Sequence, residues 1–417
     1  MRRLYSFLTS VVERSLPVTG VFSDKMRLFV RGRTAVFSTL MKDLEDRKPV
    51  IWFHAASLGE YEQGLPVMES VAQQYPKHQL LLTFFSPSGY EVKKNSAFAN
   101  LPDRQAGAVT YLPLDTPSNA RDFLDIVQPE MVFFIKYEFW PNYLKELKSR
   151  KIRTFLISGV FRENQAFFKP FGKWMTQYLD AFEHFFLQDN ASAEALQSLG
   201  FSNFIISGDT RFDRVSHQIE VDNTLDFATA FCEDQLCVVC GSTWKEDDDI
   251  IVPFINQNKG TAKFIIAPHE INSDKISLLQ KRLQVKTVLY SEMDINTVAS
   301  YDVLIIDTIG LLTRLYSYAT VAYVGGAMGT TGLHNILEPA TFGMPIITGS
   351  NLEKFPEAKR LQQLAGLFTV KDASELSTIL KKLLMDKNFR TQSGMISGHY
   401  VNSNTGATRK VLEYLEK

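Results

Sequence analysis

The run His54-Ala55-Ala56-Ser57-Leu58-Gly59-Glu60 places a hydroxyl, a glycine and a carboxylate within one turn of chain. It follows an apolar stretch and opens a helical pattern, so Glu60 is expected at the carboxyl end of a strand, in a first helical turn. There it could accept a proton from a substrate hydroxyl. Backbone N–H groups at the helix start could receive polar atoms, and Gly59 would let a substrate approach the main chain closely. A glutamate at that position also serves simply as a partner of the helix dipole, and spacing alone leaves both roles open.

A second acid stands in Tyr137-Glu138-Phe139-Trp140-Pro141-Asn142, again just after an apolar run. Pro141 suits a helix start, so Glu138 is either a cap or a second carboxylate aimed at the same sheet edge. Farther along, Val324-Gly325-Gly326-Ala327-Met328-Gly329-Thr330-Thr331-Gly332 leads into His334-Asn335-Ile336-Leu337-Glu338-Pro339. Such a loop can bring amides to a phosphate, although it lacks the spacing of the dinucleotide or phosphate-loop fingerprints. Asn335 and Glu338, three apart on an expected helix, would share a face able to grip a nucleotide. Cys232, Cys237 and Cys240 read as buried thiols rather than metal ligands, because the last two lie inside an apolar run and a fourth ligand is missing.

These residues need elements to hold them. From Val50 onward, short β-branched and aromatic runs alternate with helical patterns, among them 50–53, 80–85, 131–135, 154–157, 185–187 and 204–206. A second series covers 236–240, 264–266, 303–306, 321–324 and 345–347. Continuous apolar strands separated by helices imply parallel sheets covered on both faces. The expected α/β architecture is two doubly wound, Rossmann-like domains facing across a cleft, with ligands at the carboxyl ends of the strands. The expected boundaries are 1–48 for an N-terminal segment, 49–213 for the first domain, 214–231 for a linker and 232–417 for the second domain.

The chain has 417 residues, 45% hydrophobic and 22% charged, with a formal net charge of -1. That balance fits a folded protein of two domains and gives no global attraction to nucleic acid. Thiols with no disulfide framework suit a reducing compartment. Only the N-terminus is charge-biased: Arg2, Arg3, Arg14, Lys25, Arg27, Arg31 and Arg33 face Glu13 and Asp24 within the first 34 residues. Leu4, Phe7, Leu8, Val11 and Val12 recur there at helical spacing, too short an apolar run to span a bilayer. The stripe either packs on the protein's own core or lies on anionic lipid.

Taken in order, these strings resemble the signatures of the 3-deoxy-D-manno-octulosonic acid (Kdo) transferases. The resemblance rests on the His-Ala-x-Ser-x-Gly-Glu segment at 54–60, Glu-x-Trp-Pro-Asn at 138–142 and Asn-x-x-Glu-Pro at 335–339. Leu112-Pro113-Leu114-Asp115, Gly208-Asp209-Thr210-Arg211-Phe212-Asp213 and Asp307-Thr308-Ile309-Gly310 also fit. It implies a GT-B fold, an acceptor-binding first domain, a CMP-Kdo-binding second domain, and inverting transfer to a lipid A precursor with neither metal nor cofactor. The implied seat is the cytoplasmic face of a bacterial inner membrane, on anionic lipid.

Glu60 matches the family's general base, with Glu138 and Arg211 as further catalytic positions, Arg211 standing where the family usually has lysine. Ser57 and Gly59 fall on the acceptor side. Pro268, His269, Ile309, Gly310, Leu311, Asn335, Ile336, Leu337 and Glu338 fall on the CMP-contacting stretches. Three positions depart from the pattern: Lys136 replaces the first acid of Glu-x-Glu, His269 an arginine and Leu311 a glutamate. Arg162 is a substitute for the arginine of an Asn-Ala-Arg segment that here reads Ser158-Gly159-Val160. The rival readings are a GT-B enzyme with another nucleotide sugar and a binding protein that has lost transfer.

Overall fold

The computed structural model describes residues 1–19, 23–44, 48–99, 101 and 105–417, and the chain divides into two compact units. The first comprises Met1–Arg214 with Thr405–Lys417; the second is Val215–Asn404.

The first unit is built on β1 (Val50–Ala55), β2 (Gln79–Phe84), β3 (Ala106–Tyr111), β4 (Pro129–Ile135), β5 (Arg153–Gly159), β6 (His184–Leu187) and β7 (Phe204–Ile206). Their order is β3-β2-β1-β4-β5-β6-β7, all parallel. The order of strands runs one way from β1 through β2 to β3 and the other way from β4 onward, which makes the carboxyl ends of β1 and β4 the topological switch point. β1 and β2 are buried at every residue, as continuous apolar runs covered on both faces must be. Trp52, Phe123, Phe134 and Tyr143 fill one face, and Phe53, Phe133, Ile135 and Phe155 the other.

The second unit repeats the scheme with β8 (Cys237–Thr243), β9 (Lys263–Pro268), β10 (Thr287–Leu289), β11 (Val303–Ile305), β12 (Val321–Val324), β13 (Ile346–Gly349) and β14 (Leu367–Val370). The order is β10-β11-β9-β8-β12-β13-β14, again parallel, so the switch point lies between β8 and β12. Cys237 and Cys240 are buried strand residues of β8, as their apolar run implied.

The segment expected to be a linker is largely helical, with helical turns at Thr210–Ser216, His217–Glu220 and Asp226–Cys232, and Phe227, Ala228 and Phe231 are buried on the last of them. The tail also departs from the expected boundary at 417, because the helix Ala407–Leu415 belongs to the first unit. Val411 and Leu415 join the core beside Phe53 and Phe155, and Tyr414 stacks on His184 at 4.2 Å. Asp213 receives the Gly406 and Thr408 backbone N–H groups at 2.5 and 2.7 Å, tying the start of that helix to the end of the first sheet.

Three helices precede β1: α1 (Arg2–Thr19), α2 (Asp24–Thr34) and α3 (Val36–Asp43). α1 docks through its polar side. Tyr5 donates to Asp115 at 2.8 Å, Ser6 donates to the Asn142 side chain at 3.1 Å, and Asn119 donates to Glu13. Leu4, Phe7, Leu8, Val11 and Val12 are all exposed, Phe7 at 64%. Arg33 of α2 is wedged among the rings of Phe29, Phe85 and Tyr111 and donates to the carbonyls of Phe85 and Leu112. The side chains of Arg2 and Lys25 lie outside the described residues.

Candidate active site

Glu60 follows β1 in the first turn of α4 (Leu58–Gln74), with Ser57 as N-cap residue in extended conformation. Its Oε2 accepts the Ala56 N–H at 2.5 Å and the Ser57 N–H at 3.1 Å, which fixes the carboxylate over the helix start. Both bonds go to Oε2, so Oε1 is the oxygen left to receive a proton. The residue is 5% exposed. Burial, with the charge of Glu138 added, pushes its carboxyl up to about 7 against the pull of those two N–H groups and of Lys136. Gly59 is exposed, and a Cβ there would meet nothing within 4 Å, so the protein's own packing leaves the approach to Glu60 open.

Glu138 lies beyond β4, the other switch-point strand. Trp140 Nε1 donates to its Oε2 at 3.0 Å and also lies 3.2 Å from His54 Nε2, while His54 Nδ1 meets Thr83 Oγ1 at 2.8 Å. Thr83 receives Trp52 Nε1 as well, at 2.8 Å. With His54 protonated on Nδ1, every member of this buried chain has a partner, so Glu138 is oriented from β1, β2 and the turn after β4 together.

Lys136 and Ser158, at the carboxyl ends of β4 and β5, both have left-handed backbones, with φ of 72° and 50°. Non-glycine residues adopt this region at a cost, and such strain gathers at sites where a side chain must be aimed. The Lys136 ammonium is pulled below its ordinary range by burial and the nearby Arg211, while Glu60 and Asp209 oppose the shift. The departure at 136 thus puts a cation among the acids where sequence comparison sees only a lost glutamate.

Arg211 completes the group. Its Nε donates to Asp209 Oδ2 at 2.8 Å, and Asp209 Oδ1 accepts Gln63 Nε2 at 3.1 Å. Thr210 donates to the Gln63 carbonyl at 2.5 Å. Gln63 lies one turn after Glu60, so one helix positions both the acid and the guanidinium. Of the expected first-unit residues, Glu60, Glu138 and Arg211 share one sheet edge, with Ser57 and Gly59 at the helix start.

In the second unit, Pro268 closes β9 and His269 packs against two rings, Trp244 at 4.5 Å and His334 at 4.4 Å. Trp244 Nε1 donates to His334 Nε2 at 3.2 Å; burial and the neighbouring His269 push His334 down to about 4, so it is neutral near pH 7. Asp247, fully buried, accepts the N–H groups of Trp244 and Gly326 and the Tyr323 hydroxyl at 2.9, 3.0 and 2.8 Å. It therefore pins the glycine loop across the β8–β12 switch point. A Cβ on Gly325 would lie 2.4 Å from the Ser242 carbonyl oxygen, so only glycine fits there.

Asn335 does not lie on a helix as expected. The helix runs Leu337–Thr341, and the Asn335 side chain instead accepts the Leu337 N–H at 3.1 Å as a turn cap. Asn335 and Glu338 still meet, Nδ2 to Oε1 at 3.1 Å, and Thr313 donates to Glu338 Oε2 at 3.1 Å. Thr313 follows the exposed turn of Ile309, Gly310 and Leu311, in which Gly310 has φ 92°. The stretches at 268–269, 309–311 and 335–338, including Ile336 and Leu337, are thereby linked through His334 and Thr313. Trp244 and Asp247 escaped the sequence reading; their signal was their place right after the switch-point strand β8.

Residues 30–214 match a family domain described as 3-deoxy-D-manno-octulosonic-acid transferase (kdotransferase). A 3-deoxy-D-manno-octulosonic acid transferase of Haemophilus influenzae is 26% identical over 377 residues, covering 88% of this chain and 86% of its own. One from Aquifex aeolicus is 26% identical over 352 residues, covering 83% and 89%. In fold, the chain is similar to UDP-GlcNAc 2-epimerase from Neisseria meningitidis, with a TM-score of 0.62 and 15% identity over 88% of this chain and 99% of that one. By that domain match and those relatives the chain is similar to the Kdo transferases over most of its length, and its two parallel sheets and likeness in fold make it a glycosyltransferase of GT-B fold.

Proposed function

We propose that the chain transfers Kdo from CMP-Kdo to a sugar hydroxyl of a lipid A precursor, with inversion, and that Glu60 is the general base. The observation that carries this reading is a buried carboxylate at the β1–β4 switch point, held by two backbone N–H groups and raised to about 7. A base of that strength is ionised enough at neutral pH to act and basic enough to take a hydroxyl proton in the transition state. The acceptor oxygen forms its bond to the anomeric carbon of Kdo as the bond from that carbon to the phosphate oxygen breaks. Its proton passes to Glu60, and CMP departs with the bonding electron pair. Arg211, aimed by Asp209, stabilises negative charge that develops during the transfer.

On the donor side, the Gly325–Gly326 loop pinned by Asp247, the turn at 309–311 and the Asn335–Glu338 pair are the groups assigned to CMP. The proposed location is the cytoplasmic face of a bacterial inner membrane. In support, α1 turns Tyr5, Ser6 and the buried Leu16 to the protein and exposes Leu4, Phe7, Leu8, Val11 and Val12, and no helix among the described residues is long and apolar enough to cross a membrane. Such a helix would lie in the lipid interface, with Arg3 and Arg14 beside anionic head groups.

Purified chain supplied with a lipid A precursor and, separately, CMP-Kdo or UDP-sugars tests the assignment by product mass. Kdo added only from CMP-Kdo supports it. Turnover with a UDP-sugar and none with CMP-Kdo would favour the rival donor class, and ligand binding without turnover would favour a binding protein.

A further inference from the structure

The segment between β5 and β6 holds an aromatic residue out in solvent by construction. Phe167 is buried and Phe168 packs against the core, whereas Phe171, three residues on, is 65% exposed. Two successive turns fix this arrangement, with the Lys169 N–H donating to the Ala166 carbonyl at 3.0 Å and the Gly172 N–H to the Lys169 carbonyl at 2.9 Å. Gly172 is obligatory, because a Cβ there would fall 1.8 Å from the Ala166 carbonyl oxygen. Phe171 is therefore displayed by a closed loop and cannot simply fold back onto the core.

Its neighbours share one chemistry. Lys169, Pro170 and Lys173 are exposed, and neither lysine has an ion-pair partner among the described residues. Trp174, next in the chain, packs its ring 5.5 Å from that of Tyr5 on α1. The loop thus abuts the helix that exposes Leu4, Phe7, Leu8, Val11 and Val12. A lone exposed phenylalanine is unremarkable; one held between two unpaired cations and beside a second apolar surface is not.

We infer that the loop Lys169–Lys173 is a second membrane contact, in which Phe171 enters the interface of an anionic bilayer while Lys169 and Lys173 stay among the lipid phosphates. The inference rests on the peripheral seat proposed for α1. An aromatic ring suits the boundary between head groups and acyl chains, and flanking lysines can extend their ammonium groups to the anionic surface. With α1 and the loop both engaged, the first unit is held at two places, which restricts its rotation about the helix axis and orients its sheet edge to the acceptor's head group.

The test uses the full chain and vesicles of phosphatidylcholine with and without phosphatidylglycerol. Phe171→Cys, labelled with a polarity-sensitive fluorophore, is specific because the native cysteines are buried. On anionic vesicles the label should shift to shorter wavelength and be quenched by brominated acyl chains. Lys169→Gln with Lys173→Gln should weaken binding to anionic vesicles by roughly 5-fold per charge removed and leave binding to neutral vesicles unchanged. Binding of the labelled protein with unaltered emission would overturn the loop contact and leave the α1 reading standing. Failure of the unmodified chain to bind either vesicle would overturn both.

Discussion

Replacing Glu60 by Gln should make the protein slower and, above neutral pH, more stable. The amide keeps the shape and an oxygen for the Ala56 and Ser57 N–H groups but cannot serve as the base. Loss of a general base costs about 10²- to 10⁴-fold in turnover. The stability effect follows from burial. The native carboxyl sits at about 7 against an ordinary value of 4.5, so the folded state binds the proton more tightly than the unfolded chain. Stability is therefore fully present below about pH 4.5 and falls as pH rises through 7, by ~3 kcal/mol at 1.36 kcal/mol per unit.

The Gln variant carries no such penalty, and its melting temperature at pH 8 should exceed that of the parent by several degrees, at roughly 2–4 °C per kcal/mol. The two proteins should converge near pH 4.5. In the parent, turnover should fall about tenfold for each pH unit below 7, as the base protonates. Thermal melts and rate profiles over the same pH series give both readings. A variant that loses turnover but gains no stability at pH 8 would refute the burial argument, and one that keeps its turnover would remove Glu60 as the base.

Arg211→Gln should lower turnover by about 10²- to 10³-fold with little change in CMP binding, and Arg211→Lys should restore part of the loss; rates with calorimetric titration of CMP check this. Gly325→Ala should abolish CMP binding or unfold the second unit, since its Cβ would sit 2.4 Å from a carbonyl oxygen, and circular dichroism distinguishes the two outcomes. Phe7→Ser with Leu8→Ser should weaken co-sedimentation with anionic vesicles while shifting the melting temperature by less than about 2 °C, because both side chains are already exposed. A large drop in melting temperature with unchanged vesicle binding would place that stripe in the protein's own core.

Interior strands were legible because burial on both faces writes them as unbroken apolar runs. The strands that went unread are β3, β10 and β14, each at a sheet edge. Ala106-Gly107-Ala108 carries little hydrophobic signal, and β10 and β14 are only partly buried, so neither is compelled to be apolar. The tail was assigned by continuity with its neighbours, whereas Tyr414, Val411 and Leu415 answer to a core formed hundreds of residues earlier. Glu60 and Glu138 could be located from their strands. Their mutual effect could not, nor could the strained turn that aims Lys136, because both depend on strand order. For α1 the spacing exposed a stripe without saying which side faced the protein; the hydroxyls of Tyr5 and Ser6 decide it, meeting Asp115 and Asn142, each from a segment that carries the family resemblance.

The most direct measurement is a stoichiometry: CMP released against Kdo incorporated into a lipid A precursor by the purified chain, followed through one time course. Transfer by the proposed route yields one CMP for each Kdo on lipid, both slowed together by Glu60→Gln. CMP release without Kdo on the lipid, or neither product from folded protein with native lipid, would contradict the assignment.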